Sequence, residues 1–393
     1  MTSRRLPSTL FPNATTRTLE RLRRRGSPIL DLTESNPTRV GLEYADDLLA
    51  PLSSPSGLTY DPQPLGMASA REAVADDFKR RGIVINPERI ALTASTSEAY
   101  SLLFKLLCDA GDTVLVPQPS YPLFEHLTVL ESIVARPYRL EYHGAWRIDL
   151  DHLRAAVDDS VRALLLVSPN NPTGSFVHRA DLQEVAAICA ARDVMLIGDE
   201  VFADYPLDES PDAGSVLDVA TAVVCSLGGL SKSAGLPQLK LGWIGFNGPK
   251  DRVGELINAY EIVADTYLSV ATPVQVALGP LLQSGAAIRR QIQSRIVRNL
   301  TALRSAAAHY PAVSVLKVEG GWSAVIEVPA YRSEEGLVLE LLGDDQVLVH
   351  PGYFFDFEDE AFVVISLLVE PAMIDQATAR LLARATRPSG ATS

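Results

Sequence analysis

The feature that most constrains this chain is an alternation of short apolar runs with longer amphipathic stretches between residues 88 and 247. Short β-branched or apolar runs predict strands, and longer stretches with helical spacing of their apolar residues predict helices. Strands are predicted at residues 89–92, 113–116, 164–168, 194–198 and 222–227. The repeated strand-helix pattern therefore predicts an α/β domain built on a mostly parallel sheet.

The pattern changes after residue 250. A long connecting helix is predicted at residues 250–276, with a turn at Thr272 and Pro273. Beyond residue 289, short strands near residues 313–318, 323–328, 347 and 363 alternate with three helices, which predicts a smaller α+β domain. We therefore predict an N-terminal arm that belongs in part to the small domain, a large domain and a C-terminal small domain, at residues 1–45, 46–285 and 286–393.

Composition excludes several classes of function. With 35 basic and 48 acidic residues the net charge is −13, so the chain lacks a general positive field for nucleic acid. Its apolar runs are far shorter than the roughly 18 residues of a membrane span. Cys108, Cys189 and Cys225 lack the spacing of a zinc site or disulfide framework, so we expect no bound metal and a reducing, cytoplasmic location.

The first 25 residues are rich in arginine and superficially resemble an organellar transit peptide. We interpret them instead as the solvated face of a short helix that Gly26 stops.

Lys232 carries the central chemical signal. It follows a predicted buried strand and a Gly-Gly pair, and only six of the 35 basic residues are lysines. A lysine in such a loop packs poorly but can form a Schiff base when burial or its neighbours change its pKa. A surface lysine remains the alternative interpretation.

Three other polar clusters also follow predicted strands. Asp199 ends an apolar strand, where a carboxylate needs a cationic partner such as a protonated pyridine nitrogen, unless it merely caps the next helix. Asn170 and Asn171 lie between prolines in a turn and offer a rigid amide donor. Residues 93–98, Thr-Ala-Ser-Thr-Ser-Glu, precede a helix whose free N–H groups suit a phosphate, although an ordinary helix cap has the same pattern. The carboxyl edge of an α/β sheet is where ligands bind.

Together these clusters resemble those of the class I and II aminotransferases of fold type I, which use pyridoxal 5′-phosphate. The resemblance runs from about residue 31 to residue 371. Its most specific elements are Ser-Pro-Asn-Asn-Pro-Thr-Gly at 168–174, Gly-Asp-Glu-Val at 198–201, and Ser-Lys with Gly-Leu-Pro and Leu-Gly-Trp at 231–243. It implies the fold-type I architecture, with a large domain whose mostly parallel sheet is flanked by helices and a smaller α+β domain.

The resemblance also implies residue roles. Lys232 is expected to form the Schiff base with the cofactor and to transfer the proton. Asp199 is expected to hold the pyridine nitrogen protonated, Asn171 to bind the ring hydroxyl oxygen, and Tyr121 to stack on the ring. The cofactor phosphate is expected to be bound by residues at the helix start, by a second lysine and by a tyrosine of a neighbouring subunit, which are Ser95, Thr96, Ser97, Lys240 and Tyr60. The tyrosine role requires a homodimer with shared active sites.

Three positions depart from the family pattern. Phe202 stands where a tyrosine usually donates to the ring oxygen, so we expect the yellow, protonated form of the bound cofactor to persist to higher pH than is typical. Lys240 stands where an arginine usually binds the phosphate, which removes a bidentate donor. Val364 stands where an arginine usually pairs with the substrate carboxylate, so either another cation binds the carboxylate or the substrate lacks one. Ser35, Arg39 and His350 are the candidate substrate-binding residues, with Arg39 favoured over His350.

The sequence therefore predicts a pyridoxal phosphate-dependent aminotransferase that moves an amino group between an amino acid, or another amine, and a 2-oxo acid. A lyase, a β-eliminating enzyme or a cyclase acting on an amino acid is the main alternative, because it would share these motifs. A non-catalytic protein that binds the cofactor is the alternative from another class.

Overall fold

The computed structural model describes residues 3–7, 11–208 and 212–388 of the 393. The described residues form two α/β bodies joined by one long helix. The helices are α1 (Ala14–Arg24), α2 (Ala68–Arg80), α3 (Thr96–Leu107), α4 (Leu123–Leu130), α5 (Leu150–Ala156), α6 (Arg179–Arg192), α7 (Leu230–Ser233), α8 (Lys250–Asp265), α9 (Thr272–Ala307), α10 (Glu334–Gly343) and α11 (Pro371–Ala385).

The strands fall into one large sheet and two small ones. They are β1 (Leu30–Asp31), β2 (Ile90–Thr93), β3 (Thr113–Gln118), β4 (Val134–Tyr142), β5 (Trp146–Ile148), β6 (Val161–Val167), β7 (Met195–Asp199), β8 (Val224–Gly229), β9 (Gly242–Asn247), β10 (Ser314–Val315), β11 (Ser323–Glu327), β12 (Val347–Leu348), β13 (His350–Pro351) and β14 (Phe362–Ser366).

The large sheet has eight strands in the order β2-β9-β8-β7-β6-β3-β4-β5. The five strands from β8 to β4 are parallel, and β9 runs antiparallel to both β8 and β2. Because β2 is separated from β8 by one antiparallel strand, β2 has the same direction as β8. The carboxyl ends of β2, β6, β7 and β8 therefore meet at one edge of the sheet.

Helices cover both faces of this sheet, and the strand β6 shows why its sequence is continuously apolar. Leu164 and Leu166 belong to the core formed with α2, α5, α6 and α9, whereas Leu165 and Val167 belong to the core formed with α3, α4 and α8. Side chains alternate between the faces of a strand, so a strand covered on both faces needs apolar residues throughout. This arrangement confirms the predicted mostly parallel sheet flanked by helices.

The smaller body is built on the antiparallel sheet β10-β11-β14-β13. The helices α10 and α11 pack with this sheet and with the C-terminal part of α9 in one apolar core. The parallel pair β1 and β12 joins residues 30–31 to this body, and Leu22 of α1 packs on Leu342 and Leu348. The predicted small α+β domain is confirmed.

The connecting helix differs from the sequence prediction. The helix that begins at Lys250 ends at Asp265, and the connection is made by α9, which begins at Thr272 and runs for 36 residues. Leu282 still packs in the core of the large body, whereas Ile288 packs in that of the small body. A single amphipathic pattern cannot reveal that its two ends pack against different cores.

Candidate active site

A cavity of about 270 Å³ lies between the two bodies at the carboxyl edge of the large sheet. Several of the residues that the sequence singled out line this cavity, and they are Ser35, Thr96, Ser97, Tyr121, Asn171, Asp199, Phe202, Lys232 and His350. Those of the large body meet because the strands before them end at the same edge, whereas Ser35 and His350 come from the N-terminal segment and the small body. No three His, Cys, Asp or Glu side chains within the described ranges converge as a metal site.

Lys232 lies in the short helix α7, directly after β8. Its Nζ lies 4.7 Å from the centre of the Trp322 ring and 5.2 Å from that of Phe202, and it makes no hydrogen bond with a described residue. Burial lowers the pKa of Lys232 to about 8, although the negative charge of Asp199 acts in the opposite direction. A partly buried amine with a lowered pKa and no hydrogen-bond partner is suited to act as a nucleophile.

Asp199 is the last residue of β7 and is partly buried at the cavity. Burial raises its pKa to about 6, opposed by a hydrogen bond that Tyr100 donates to Asp199 Oδ2 over 2.9 Å. Its Oδ1 accepts from the backbone N–H of Val201 at 3.2 Å. The carboxylate thus has two donors but no cationic partner among its described hydrogen bonds, so it is suited to bind a cationic group of a ligand.

Asn171 offers a free donor to the cavity. Its Oδ1 accepts a hydrogen bond from Ser323 Oγ at 3.3 Å, and its Nδ2 makes no hydrogen bond with a described residue. Because the carbonyl oxygen is bonded on the protein side, the amide nitrogen is the end left for a ligand.

The N-terminus of α3 forms another part of the cavity. Ser95 caps the helix, with its hydroxyl accepting from the N–H of Glu98 at 3.1 Å, and the carboxylate of Glu98 accepts in turn from the N–H of Ala94. Thr96 and Ser97 follow in the first turn and line the cavity. The cap does not preclude an anion site, because capping one N–H leaves others free at the positive end of the helix.

Other predicted site residues lie outside the cavity of the single chain. Lys240 is exposed, Tyr60 has 74% of its surface exposed, and Ser95 serves as the helix cap. Arg39 is exposed at the end of a short 3-10 helix, Pro37–Arg39, and does not line the cavity. The structure therefore does not bring Arg39 to the position in which it could replace the missing arginine.

Sequence analysis missed several lining residues, namely Thr33, Tyr100, Leu123, Phe124, Trp322, Ser323, Phe354, Phe355 and Ser366. Tyr100 could have been found, because it lies four residues after Thr96 and so shares its helix face. The small-domain residues carried no such signal, since only the packing of the two bodies brings them to the sheet edge.

The residues fit the pyridoxal phosphate that the motifs imply. An unpaired amine, a partly buried carboxylate, a free amide donor and a helix N-terminus match the aldehyde, ring nitrogen, ring oxygen and phosphate of that molecule.

Comparison with known proteins agrees with this geometry. A family model described as aminotransferase class I and II matches residues 34–381. Glutamate-pyruvate aminotransferase AlaA of Haemophilus influenzae is 26% identical over 357 residues, covering 88% of each chain. Alanine aminotransferase of Mycobacterium bovis is 27% identical over 350 residues, covering 86% of this chain and 81% of the relative.

Solved structures share the fold. An aminotransferase from Escherichia coli superposes with a TM-score of 0.87 at 23% identity, covering 99% of this chain and 98% of its own. Alanine aminotransferase from Pyrococcus furiosus also gives a TM-score of 0.87 at 23% identity, covering 98% of this chain and 99% of its own.

Proposed function

The chain belongs to the class I and II aminotransferase family, whose members are transaminases that use pyridoxal 5′-phosphate, and we propose that Lys232 is its catalytic lysine. The chain is accordingly an enzyme that moves an amino group between an amino acid and a 2-oxo acid. The observation that carries the proposal is the partly buried amine of Lys232, which lacks a hydrogen-bond partner among the described residues and lies in the cavity that also contains Asp199.

When bound, pyridoxal phosphate supplies an electron-withdrawing ring that stabilises negative charge at the substrate carbon. Asp199 would hold a proton on the ring nitrogen, and Tyr100 orients Asp199 through its hydrogen bond. Asn171 would donate to the ring oxygen, and Tyr121 would stack on the ring. Lys232 would take the proton from the substrate Cα and deliver it to the carbon of the cofactor that derives from its aldehyde, a role that the lowered pKa of Lys232 favours near neutral pH.

The phosphate is assigned to the N-terminus of α3, with Thr96 and Ser97 donating and Lys240 adding positive charge. Phe202 replaces the usual tyrosine donor and instead faces Lys232 with its ring.

The substrates proposed are an amino donor with an uncharged side chain and a 2-oxo acid acceptor. The apolar lining supports this choice, because Leu123, Phe124, Phe354 and Phe355 offer no partner for a charged side chain. The relative of Mycobacterium bovis is named alanine aminotransferase, which supports a small apolar donor.

The test is a half-reaction. With bound pyridoxal phosphate and an amino donor, we expect the yellow form to convert to pyridoxamine phosphate, and Lys232→Ala to abolish the conversion. Borohydride should attach the cofactor to Lys232 in the native chain. Release of ammonia and a 2-oxo acid without pyridoxamine phosphate would instead indicate an eliminating enzyme, and an unlabelled Lys232 would contradict the proposal.

We further propose a homodimer in which Tyr60 of each subunit reaches the phosphate of the other. Tyr60 lies outside the cavity of its own chain, and exposed apolar side chains occur with it at Leu58, Ile262 and Tyr267. Mixing Lys232→Ala and Tyr60→Ala chains should restore about a quarter of the native activity, because half of the dimers then contain one intact site. No recovery, or a monomer in sedimentation, would contradict the dimer.

A cytoplasmic location is also proposed. It is supported by the three cysteines, which are all unpaired in the structure, as is typical of a reducing compartment. Among the described helices, none is both long enough and apolar enough to cross a membrane. Fractionation of cells that express the chain tests the location.

A further inference from the structure

His350 lies next to Val364, the position at which the family usually has an arginine. In the antiparallel pair β13 and β14, His350 lies directly opposite Val364. Directly opposed residues of antiparallel strands point to the same face, with their Cβ atoms about 5 Å apart. Val364 is almost fully buried and packs with Phe355, and the ring of Phe355 also contacts His350. The two side chains therefore share one wall of the cavity.

Aromatic contacts fix the orientation of the His350 ring. It stacks on Phe354 with a centroid distance of 4.8 Å and an interplanar angle of 4°, and Phe355 meets it edge-on at 5.6 Å. Neither ring nitrogen makes a hydrogen bond with a described residue. Two aromatic rings thus hold the imidazole, while its nitrogens have no hydrogen-bond partner within the part of the chain that the structure describes. A fixed polar edge on a cavity wall is suited to bind a ligand.

The charge in this part of the cavity is small. Burial lowers the pKa of His350 to about 4, although the negative charge of Asp31 acts in the opposite direction. The imidazole is therefore neutral at neutral pH, and Lys232 is the only cation among the described lining residues. The described lining of the cavity also includes the neutral hydroxyls of Thr33, Ser35 and Ser366.

We infer that His350 binds the polar group that the substrate carries on Cα, through a hydrogen bond from a neutral imidazole in place of an ion pair with a guanidinium. This inference rests on the proposed transaminase function and specifies its substrate class. A neutral donor binds a carboxylate and a carboxamide with similar strength, whereas a bidentate guanidinium strongly prefers the carboxylate. The enzyme therefore accepts amino acids, their carboxamides and the corresponding simple amines.

The first test compares matched donors in the half-reaction at pH 8. The donors are L-alanine, L-alaninamide and ethylamine, and L-phenylalanine, L-phenylalaninamide and 2-phenylethylamine, with rates expressed per free amine. We expect kcat/KM for each acid and its carboxamide to agree within about tenfold. A preference of about a thousandfold or more for the acid would overturn the inference, since it would require a cation, for example from a second subunit.

The same series separates the two proposals. If none of the six donors converts the yellow form, the proposed transaminase function fails. If the acids react and the carboxamides do not, transamination stands and only the role of His350 is lost.

The second test replaces the imidazole. His350→Phe keeps the stack on Phe354 but removes both nitrogens, so we expect about three- to tenfold lower kcat/KM for acids and carboxamides and an unchanged value for the simple amines. His350→Asn keeps an amide donor and should recover part of the loss. Equal loss for all donors would show that His350 only supports the fold and would overturn the inference.

The third test restores the cation. Val364→Arg should increase the preference for acid over carboxamide by about 10- to 100-fold, and Val364→Leu, the control, should not. An unchanged preference in a folded Val364→Arg enzyme that binds cofactor would overturn the inference. If burial at this position prevents folding, the donor series with the native enzyme still decides.

Discussion

Single side chains set the protonation states on which the chemistry depends. Lys232 and Asp199 share one cavity, and burial moves their pKa values towards each other, to about 8 and about 6. Burial disfavours the charged form of each group, and for that reason the two values converge. The hydrogen bond from Tyr100 favours the ionised form of Asp199 and limits the rise of its pKa. The Trp322 ring lies beside the amine of Lys232 and offers it no hydrogen bond.

Tyr100 is expected to keep Asp199 ionised. In Tyr100→Phe the carboxylate loses a donor at 2.9 Å, so its pKa rises above the present value of about 6 and less carboxylate is available near neutral pH. We expect about tenfold weaker binding of pyridoxal phosphate at pH 6 to 7 and a smaller loss at pH 8. Tyr260→Phe is the matched control, because the buried Tyr260 hydroxyl has no hydrogen-bond partner. Equal losses in both variants would contradict this role.

Phe202 is expected to control the colour transition of the bound cofactor. Phe202→Tyr keeps the ring that faces Lys232 and adds a donor for the anionic ring oxygen. A hydrogen bond to a charged oxygen should lower the pH at which the yellow form is lost by about one to two. Spectrophotometric titration of the native and variant enzymes measures the shift. A native enzyme that already loses its yellow form near neutral pH would contradict the prediction.

At the scale of elements, the start of α3 combines a structural cap with the proposed phosphate site. Ser95 caps the helix and Thr96 and Ser97 face the cavity, so the geometry of the anion site depends on the first turn. Strand β2 has the same direction as β8 because the antiparallel β9 lies between them, so the start of α3 and Lys232 reach the same cavity.

Removal of the Ser95 cap is expected to affect both stability and cofactor binding. Ser95→Ala should lower the free energy of unfolding by about 1 kcal/mol and weaken the binding of pyridoxal phosphate. Ser333→Ala is the matched control, since Ser333 caps α10 in the same way and does not line the cavity. The control should lose similar stability in a denaturant titration but retain cofactor affinity. Unchanged affinity in Ser95→Ala would place the phosphate elsewhere.

At the scale of the whole molecule, the cavity exists because two bodies meet. Residues 317–321 of the small body contact residues 174–178 of the large one. The backbone N–H groups of Glu319 and Gly320 both donate to the carbonyl of Gly174. Gly174 has a φ of +69°, and a Cβ there would lie 2.6 Å from Val318 Cγ1 and 2.7 Å from the oxygen of Gly320. Only glycine permits this approach, which positions Trp322 and Ser323 over the site.

Glu319 is expected to hold this contact in a pH-dependent way. Although burial raises its pKa, hydrogen bonds from Lys317 and from the N–H of Phe176 outweigh burial, and the net pKa of Glu319 is lowered. A lowered folded pKa stabilises the fold above the pKa of the unfolded chain, near 4.3, and the contribution is lost as the pH falls through the folded value.

Glu319→Gln should therefore lower the free energy of unfolding by about 1 to 3 kcal/mol at pH 7, with the difference shrinking below about pH 4.5. Denaturant titrations at several pH values measure it. Glu358→Gln is the control, because Glu358 pairs with Arg139 and both side chains are about half exposed. A loss in Glu319→Gln that does not change with pH would contradict the electrostatic explanation.

Much of the site could be predicted from local sequence. Asp199, Asn171, Lys232 and the start of α3 each follow a strand that the apolar pattern identifies, and strand direction alone places them at one edge. Trp322, Phe354 and Phe355 could not be predicted, because their place in the cavity depends on contacts across more than a hundred residues. The end of α8 was also missed, since helical periodicity continues across the break before α9.

The sequence by itself determined the α/β class, the edge of the sheet at which the polar residues lie and the residues suited to the cofactor. Strand burial and helix capping depend on residues that are neighbours in sequence, and for that reason a local pattern reveals them. Only the tertiary structure decided which side chains face the substrate. It left Arg39 in solvent and placed His350 opposite Val364 on one wall of the cavity. The physical reason is that cross-strand register and the packing of two bodies depend on all their contacts together, and no local pattern encodes them.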